Sequence, residues 1–324
     1  MKKYPKISIL IPLYIVNDYV YEAINRCLEL DYPDYEILLG IDKETKINIT
    51  DPKIRTLSTN EKRTGPAEKR DIGIKKAKGE IIAFLDDDSY PEKNWLKKAV
   101  EILHETSASS VCGPGLTPPA DGFSKKITGA LLGSKFGSGP FYYRFVKGSA
   151  CFVDDYPAYN MLVKKDVLLK IGGFNNKFYG GEDTALCIKI INAGEKIYYH
   201  PEIVVYHHRR KFPLEYMKQV GNVGLHRGYF VKAYPQTSLR FIYFVPAVFT
   251  IGFPLLITIA FFNQIFLIWF LGISLLIYLI IFVDGLKNNT LLINLFLPIA
   301  VVVNHLAYGF NFIKGLLFVN KLVR

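Results

Sequence analysis

Three carboxylates in succession, Asp86-Asp87-Asp88, follow the apolar run at residues 81–85. Adjacent carboxylates repel one another unless a cation or a set of donors compensates them. Hard oxygen ligands at such a place suit Mg2+ or Mn2+ bridging the phosphates of a nucleotide, although solvated loops carry acidic triplets as well. A second acidic pair, Glu182-Asp183, stands behind Gly180-Gly181 at the start of a helical pattern. Glycines free the backbone there and the positive end of the helix favours carboxylates; the plain alternative is an N-cap and its neighbour. The third cluster is His207-His208-Arg209-Arg210. A neutral imidazole can complete a metal's coordination and guanidinium groups suit a diphosphate, whereas the bland reading is a basic patch at a membrane surface.

The elements that must position these groups are legible as periodicity. Residues 7–11, 36–41, 54–57 and 81–85 read as buried strands bounded by Pro, Asp or Gly. Between them, Asn17 or Asp18 caps a helix running to about Leu30, Pro66 suits the first turn of another, and Trp95, Leu96, Ala99, Val100 and Leu103 form an apolar stripe on a third. Alternation at this spacing predicts an α/β domain built on a doubly wound, mostly parallel sheet, with ligands at the carboxyl ends of its strands. Asp42 and Asp86-Asp87-Asp88 both fall on that edge. Residues 113–158, rich in Gly, Pro and aromatics, read as a long functional loop or lid. The fold resumes near residues 159–163, and a helix from about Asp183 to Ala193 ends at Gly194.

The apolar excess of this 324-residue chain sits at its end. Residues 241–283 carry no charge, nor do residues 291–313. As one helix, the first run would reach ~65 Å, about twice the hydrocarbon core, so it must fold back. Asn263-Gln264 divides it into candidate spans at 241–262 and 265–283, and the third run, at 291–313, either spans or lies partly in the interface. Residues 1–210 are then the catalytic domain, 211–240 a basic region at the membrane surface, and 241–324 the membrane part. The basic residues before the first span place the catalytic domain on the cytoplasmic side of a multi-pass cell-membrane protein. The early apolar run is too short for a signal peptide's core, and four scattered cysteines argue for a reducing compartment and against zinc or a disulfide framework. The net charge of +11 comes without any nucleic-acid-binding signature and fits attraction to an anionic leaflet.

Taken in order, these pieces resemble the inverting family 2 glycosyltransferases over about residues 5–210. The stretch Ser8-Ile9-Leu10-Ile11-Pro12-Leu13-Tyr14 is similar to that family's first strand and turn, which wraps the nucleotide base. Asp42 stands where the family presents the first Asp of an Asp-Asp-Gly-Ser run, although this chain continues Lys43-Glu44-Thr45. The segment from Gly65 through Arg70 to Gly73 resembles the Gly-x-x-x-x-Arg-Asn-x-Gly helix near the base and diphosphate, with Asp71 in place of Asn. Asp86, Asp87 and Asp88 match the Asp-x-Asp motif, and Glu182-Asp183 the Glu-Asp motif.

The resemblance implies a nucleotide-sugar transferase fold of the GT-A type, with C-terminal membrane helices. It implies a nucleotide-diphosphate sugar donor, with UDP favoured, contacted by Pro12, Tyr14, Asp42, Gly65, Arg70, Asp86, Asp87, His207 and Arg210. Asp88 and His208 would hold Mn2+ or Mg2+, and Asp183, beside Glu182, would be the general base. The family's processive synthases carry a Gln-x-x-Arg-Trp motif that this chain lacks, which favours single-sugar transfer. The expected acceptor is a membrane-bound, lipid-linked saccharide; the alternatives are a polyprenyl-phosphate sugar synthase and a non-catalytic nucleotide-binding membrane scaffold.

Overall fold

The computed structural model of the chain describes residues 3–175 and 180–322. In chain order the elements are β1 (Ile7–Pro12), α1 (Asp18–Leu28), β2 (Tyr35–Ile41), β3 (Ile54–Ser58), α2 (Pro66–Lys76), β4 (Ile81–Leu85), β5 (Ser89–Pro91), α3 (Trp95–Glu105), β6 (Ser110–Cys112), β7 (Gly115–Leu116), α4 (Phe123–Leu132), α5 (Lys135–Ser138), a 3-10 turn (Gly139–Arg144), β8 (Cys151–Val153), β9 (Asn160–Lys164), α6 (Lys165–Lys170), α7 (Glu182–Asn192), β10 (Ile197–Tyr199), β11 (Val205–His207), α8 (Leu214–Ala233), α9 (Pro235–Ser238), α10 (Phe241–Phe262), α11 (Gln264–Gly285) and α12 (Leu291–Phe318). The described residues form two compact units: residues 3–118 with 146–175 and 180–208, and residues 119–145 with 209–322.

In the first unit, among the described residues, eight strands make one sheet in the order β3-β2-β1-β4-β9-β6-β10-β8, and β5-β11-β7 make a second. β3, β2, β1 and β4 run parallel, and β9 enters antiparallel between β4 and β6. All six residues of β1 are buried, as a strand covered on both faces requires. Helix starts follow local chemistry. Asn17 Oδ1 accepts the Tyr19 and Val20 amides at the head of α1, and Glu68 reaches back to the Gly65 amide at the head of α2, with Pro66 in its first turn. Buried Asn160 on β9 donates to the carbonyls of Gly113 and Ile203, each at 2.7 Å, and accepts the Trp95 indole N–H at 2.9 Å. One amide thus ties together four segments around the carboxyl edge of the sheet.

In the second unit, α8 lies on α12 so closely that a Cβ at Gly224 would strike the Tyr308 carbonyl and one at Gly228 the Phe312 carbonyl. The Tyr216 hydroxyl donates to Asn304 Oδ1 at 2.6 Å, and Asn304 donates to the Gly137 carbonyl at 3.1 Å. Residues 113–158, expected to be one irregular loop, contain the ten-residue helix α4, whose Ile127, Ala130 and Leu131 pack with Ile293, Leu297 and Val301 of α12. Their spacing is helical, but what makes the helix stable is a partner some 160 positions along the chain, which local pattern cannot supply.

A chain truncated after Gln236 would bare these faces of α4 and α8. It is expected to aggregate, eluting in the void volume on size exclusion while the full chain in detergent does not. A monodisperse truncated protein would show that the two helices hold without α12.

Candidate active site

The site is built where parallel strands end. β1 delivers Pro12 to a turn carrying Tyr14, β2 delivers Asp42, and β4 delivers Asp86, Asp87 and Asp88. The Tyr14 amide donates to Asp87 Oδ2 at 2.8 Å, closing the first turn onto the acidic run, and Arg63 donates to the Tyr14 hydroxyl.

Three consecutive residues of α2 point to three different parts of the site, as a 100° turn per residue requires. Buried Lys69 donates to Asp42 Oδ2 at 2.8 Å and to the Leu13 carbonyl at 2.6 Å. Burial alone would raise the Asp42 carboxyl, but hydrogen bonds from Lys69 and Thr64 hold it below its ordinary value. Both Asp42 oxygens therefore have partners within the protein, since Oδ1 also accepts the Thr64 amide at 3.0 Å. Arg70, with 3% of its side chain exposed, bonds Asp86 at 2.7 Å, Asp183 at 3.2 Å and Glu182 at 3.4 Å. Burial opposes its charge, yet Asp183, Asp86 and Glu182 together outweigh that cost, so the guanidinium stays protonated. Arg70, expected near the diphosphate, brackets the carboxylates. Asp71 accepts the Phe174 and Asn175 amides, each at 2.8 Å, and so anchors the chain that leads to α7.

At the head of α7, Gly180 and Gly181 adopt φ of +104° and +81°, a conformation that side chains rarely take. The turn lets Glu182 accept the Gly180 amide at 2.9 Å while Asp183 faces Arg70. The Asp183 carboxyl is pushed up to about 8, first by burial and then by the Glu182 charge, with Arg70 opposing.

The two histidines part by strand parity. β11 pairs antiparallel with β5, with His207 opposite Ser89, and the His208 amide donates to the Asp88 carbonyl at 3.0 Å. His207 Nε2 therefore lies 3.0 Å from Asp88 Oδ1. The next side chain points the other way: His208 Nε2 meets Glu22 at 3.0 Å and the ring stacks on Tyr19 at 4.2 Å. The geometry thus groups His207, and not the expected His208, with the Asp88 carboxylate. Arg210 lies in the second unit, where its carbonyl accepts the Thr128 hydroxyl at 2.9 Å. Gly65 serves as the N-cap of α2.

Asp86, Asp88 and His207 each bring a ligand atom within 4.8 Å of the others. His207 Nδ1 is buried with no hydrogen-bond partner among the described residues. Two carboxylates and an imidazole are a donor set that fits Mn2+ or Mg2+. His207→Ala is accordingly expected to weaken Mn2+ binding by ~10-fold or more and His208→Ala to change it little, as read by calorimetry. The reverse ranking would return the metal to His208. Sequence reasoning missed Lys69, Thr64 and Glu22. Only Lys69 left a signal, a lysine preceding the expected arginine within a helix.

Comparison with known proteins identifies relatives of the chain and of its fold. The chain is 25% identical over 245 residues to a Methanococcus voltae enzyme named dolichyl N-acetyl-alpha-D-glucosaminyl phosphate 3-beta-D-2,3-diacetamido-2,3-dideoxy-beta-D-glucuronosyltransferase, covering 70% of this chain and 74% of that one. It is 25% identical over 232 residues to glycosyltransferase AglE of Haloferax volcanii, covering 68% and 72% respectively. In fold it resembles the mannosyltransferase PcManGT of Pyrobaculum calidifontis, solved with GDP-Man and Mn2+, with a TM-score of 0.62 at 16% identity, over 97% of this chain and 88% of that one. The sheet is thus of the GT-A type, and among the described residues it is followed by three helices long and apolar enough to cross a membrane. Because the profile of glycosyl transferase family 2 matches residues 8–172, about half of the sequence and most of the strands and helices that carry the acidic clusters, the chain belongs to that family.

Proposed function

We propose that this glycosyltransferase moves one sugar, with inversion, from a UDP-sugar to a hydroxyl of a lipid-linked saccharide at the cytoplasmic face of the cell membrane. The observation that carries the reading is the Arg70 bracket, which holds Asp183 and Asp86 on one guanidinium and so sets the candidate base beside the candidate metal group. Asp183 accepts the proton of the acceptor hydroxyl as its oxygen attacks the anomeric carbon. The new C–O bond forms on the face opposite the breaking bond to the diphosphate, which leaves with that electron pair. One positioned base is enough for such a displacement, because Glu182 is occupied by Arg70 and the Gly180 amide and no second carboxylate is needed as nucleophile. A divalent cation held by Asp86, Asp88 and His207 would supply charge compensation for the departing diphosphate.

A membrane-bound acceptor is supported by the three apolar helices and by the Methanococcus voltae relative, whose name specifies a dolichyl-linked sugar. The basic stretch before α10 supports the cytoplasmic side. Product analysis after incubation with a panel of nucleotide sugars and lipid acceptors tests the reading, with the anomeric configuration read by NMR. The expected product is a lipid-linked saccharide longer by one sugar, from UDP-sugar alone. Sugar joined directly to the lipid phosphate would make the protein a polyprenyl-phosphate sugar synthase, and retention at the anomeric carbon would remove Asp183 as the base of a single displacement.

A further inference from the structure

The helices α10 and α11, each of 22 residues, are joined at Asn263, and Phe253 lies 6.2 Å from Phe270 across that turn. They are therefore an antiparallel hairpin whose open end holds Phe241 and Gly285. α12 meets this open end twice. Near its start, the Tyr278 hydroxyl of α11 donates to the Leu295 carbonyl at 2.9 Å, and a Cβ at Gly285 would strike Asn294 and Leu297. In its second half, Thr250 of α10 donates to the His305 carbonyl at 3.1 Å, Gly309 passes against the Pro246 carbonyl, and Phe312 packs on Phe244 at 5.0 Å. Moving along α12 from His305 to Phe312 thus moves back along α10 toward its first turn.

A helix crossing the bilayer beside this hairpin would start at the open end and finish near Asn263. α12 instead starts against the last turns of α11 and finishes against the first turns of α10. The deepest of these contacts, at Thr250, lies ~14 Å along α10 from its start, less than half of a ~30 Å core. The outward face of α12 is apolar, with Leu292, Leu295, Ile299, Phe310 and Leu317 exposed, while Asn294 and Asn304 are turned inward and buried. Charge points to what lies against that face. The second unit holds 14 Lys and Arg against 3 Asp and Glu, whereas the rest of the chain holds 26 of each, so the whole net charge of +11 belongs to the unit that carries the hairpin.

We infer that α12 is an in-plane helix and not a third span: the second unit crosses the bilayer through α10 and α11, and rests the apolar stripe of α12 in the anionic leaflet at the hairpin's open end. The inference depends on the membrane reading of the apolar helices and is independent of donor, acceptor and metal.

Labelling with a membrane-impermeant maleimide in sealed vesicles of both orientations tests it. The exposed native Cys151 reports the side of the catalytic unit. In a Cys151→Ser background, Asn288→Cys and Asn320→Cys flank α12, and Asn263→Cys marks the hairpin turn; Lys287→Cys, Lys321→Cys and Gln264→Cys replace any that fail to accumulate. The two flanking positions are expected to react in the same vesicles as Cys151 and to lose labelling in the opposite ones, with the turn showing the reverse. Reaction of Asn320→Cys together with Asn263→Cys would make α12 a span, and reaction of Asn263→Cys on the Cys151 side would show that the hairpin does not cross; either overturns the inference. A nitroxide on Ile299→Cys is expected to be relaxed by oxygen and shielded from a water-soluble nickel reagent. Exposure to nickel, or spin–spin broadening from a second copy, would mean that lipid does not cover the stripe.

Discussion

Replacing Asp183 by asparagine is expected to lower transfer at least ~100-fold while leaving nucleotide affinity and thermal stability close to those of the parent. Asparagine keeps the shape of the side chain and can still accept from Arg70, but it cannot take a proton. The fold tolerates the neutral group because burial and the Glu182 charge already disfavour the ionised one. The same environment sets a pH dependence. A base must be deprotonated to act, and the Asp183 carboxyl is pushed up to about 8, so kcat/KM of the parent should climb as pH rises through that region. The charged groups facing it are Arg70 on α2, Glu182 on α7 and Asp86 after β4. The asparagine variant should lose the climb. A variant that turns over at more than a tenth of the parent rate with saturating donor, or one that keeps the same pH profile, would exclude Asp183 as the base.

Arg70→Met should be costlier to the fold than any other single change in the site. Methionine fills much of the arginine's volume but leaves Asp86, Glu182 and Asp183 facing one another without a cation, and breaking a buried ion pair from one side costs about 3–5 kcal/mol. The exposure of Asp86 and the ability of Asp183 to take a proton place the loss near the lower figure. The sign of its pH dependence follows. Without the guanidinium the folded-state carboxyl pKa values rise above their unfolded values, so the deficit is small in acid and grows as pH rises through the raised values. Melting the parent and variant in detergent across that range reads the difference directly. A deficit independent of pH would mean that Arg70 contributes packing and not charge. Activity should also vanish, since the bracket aligns Asp183 with the metal group.

Much of the local structure that carries this site is legible in the sequence alone. The run of buried residues in β1 and β4, the Pro66 start of α2 and the glycines before Glu182 each encode local structure through backbone preference and burial. An acidic residue after such a strand must lie on the ligand edge of a parallel sheet. The roles of Arg70 and the two histidines were not legible. Arg70 acts through Glu182 and Asp183, more than a hundred positions away, and nothing near it in the chain announces those partners.

The α/β order of elements, the carboxylates on the sheet edge and the apolar lengths of the terminal helices are read from the chain alone, because these depend on composition and on periods of 2 and 3.6 residues, whereas the family is carried by the motifs between residues 8 and 172. Tertiary structure decided which of two adjacent histidines faces Asp88, since a strand sends neighbouring side chains to opposite faces and only the pairing of β11 with β5 selects the face. It likewise decided that residues 119–145 belong with the terminal helices, and that α12 meets the same end of the hairpin twice. Hydropathy measures whether a helix can enter a membrane. Which way it lies there is fixed by the surfaces packed against it, and those come from segments far away in the chain.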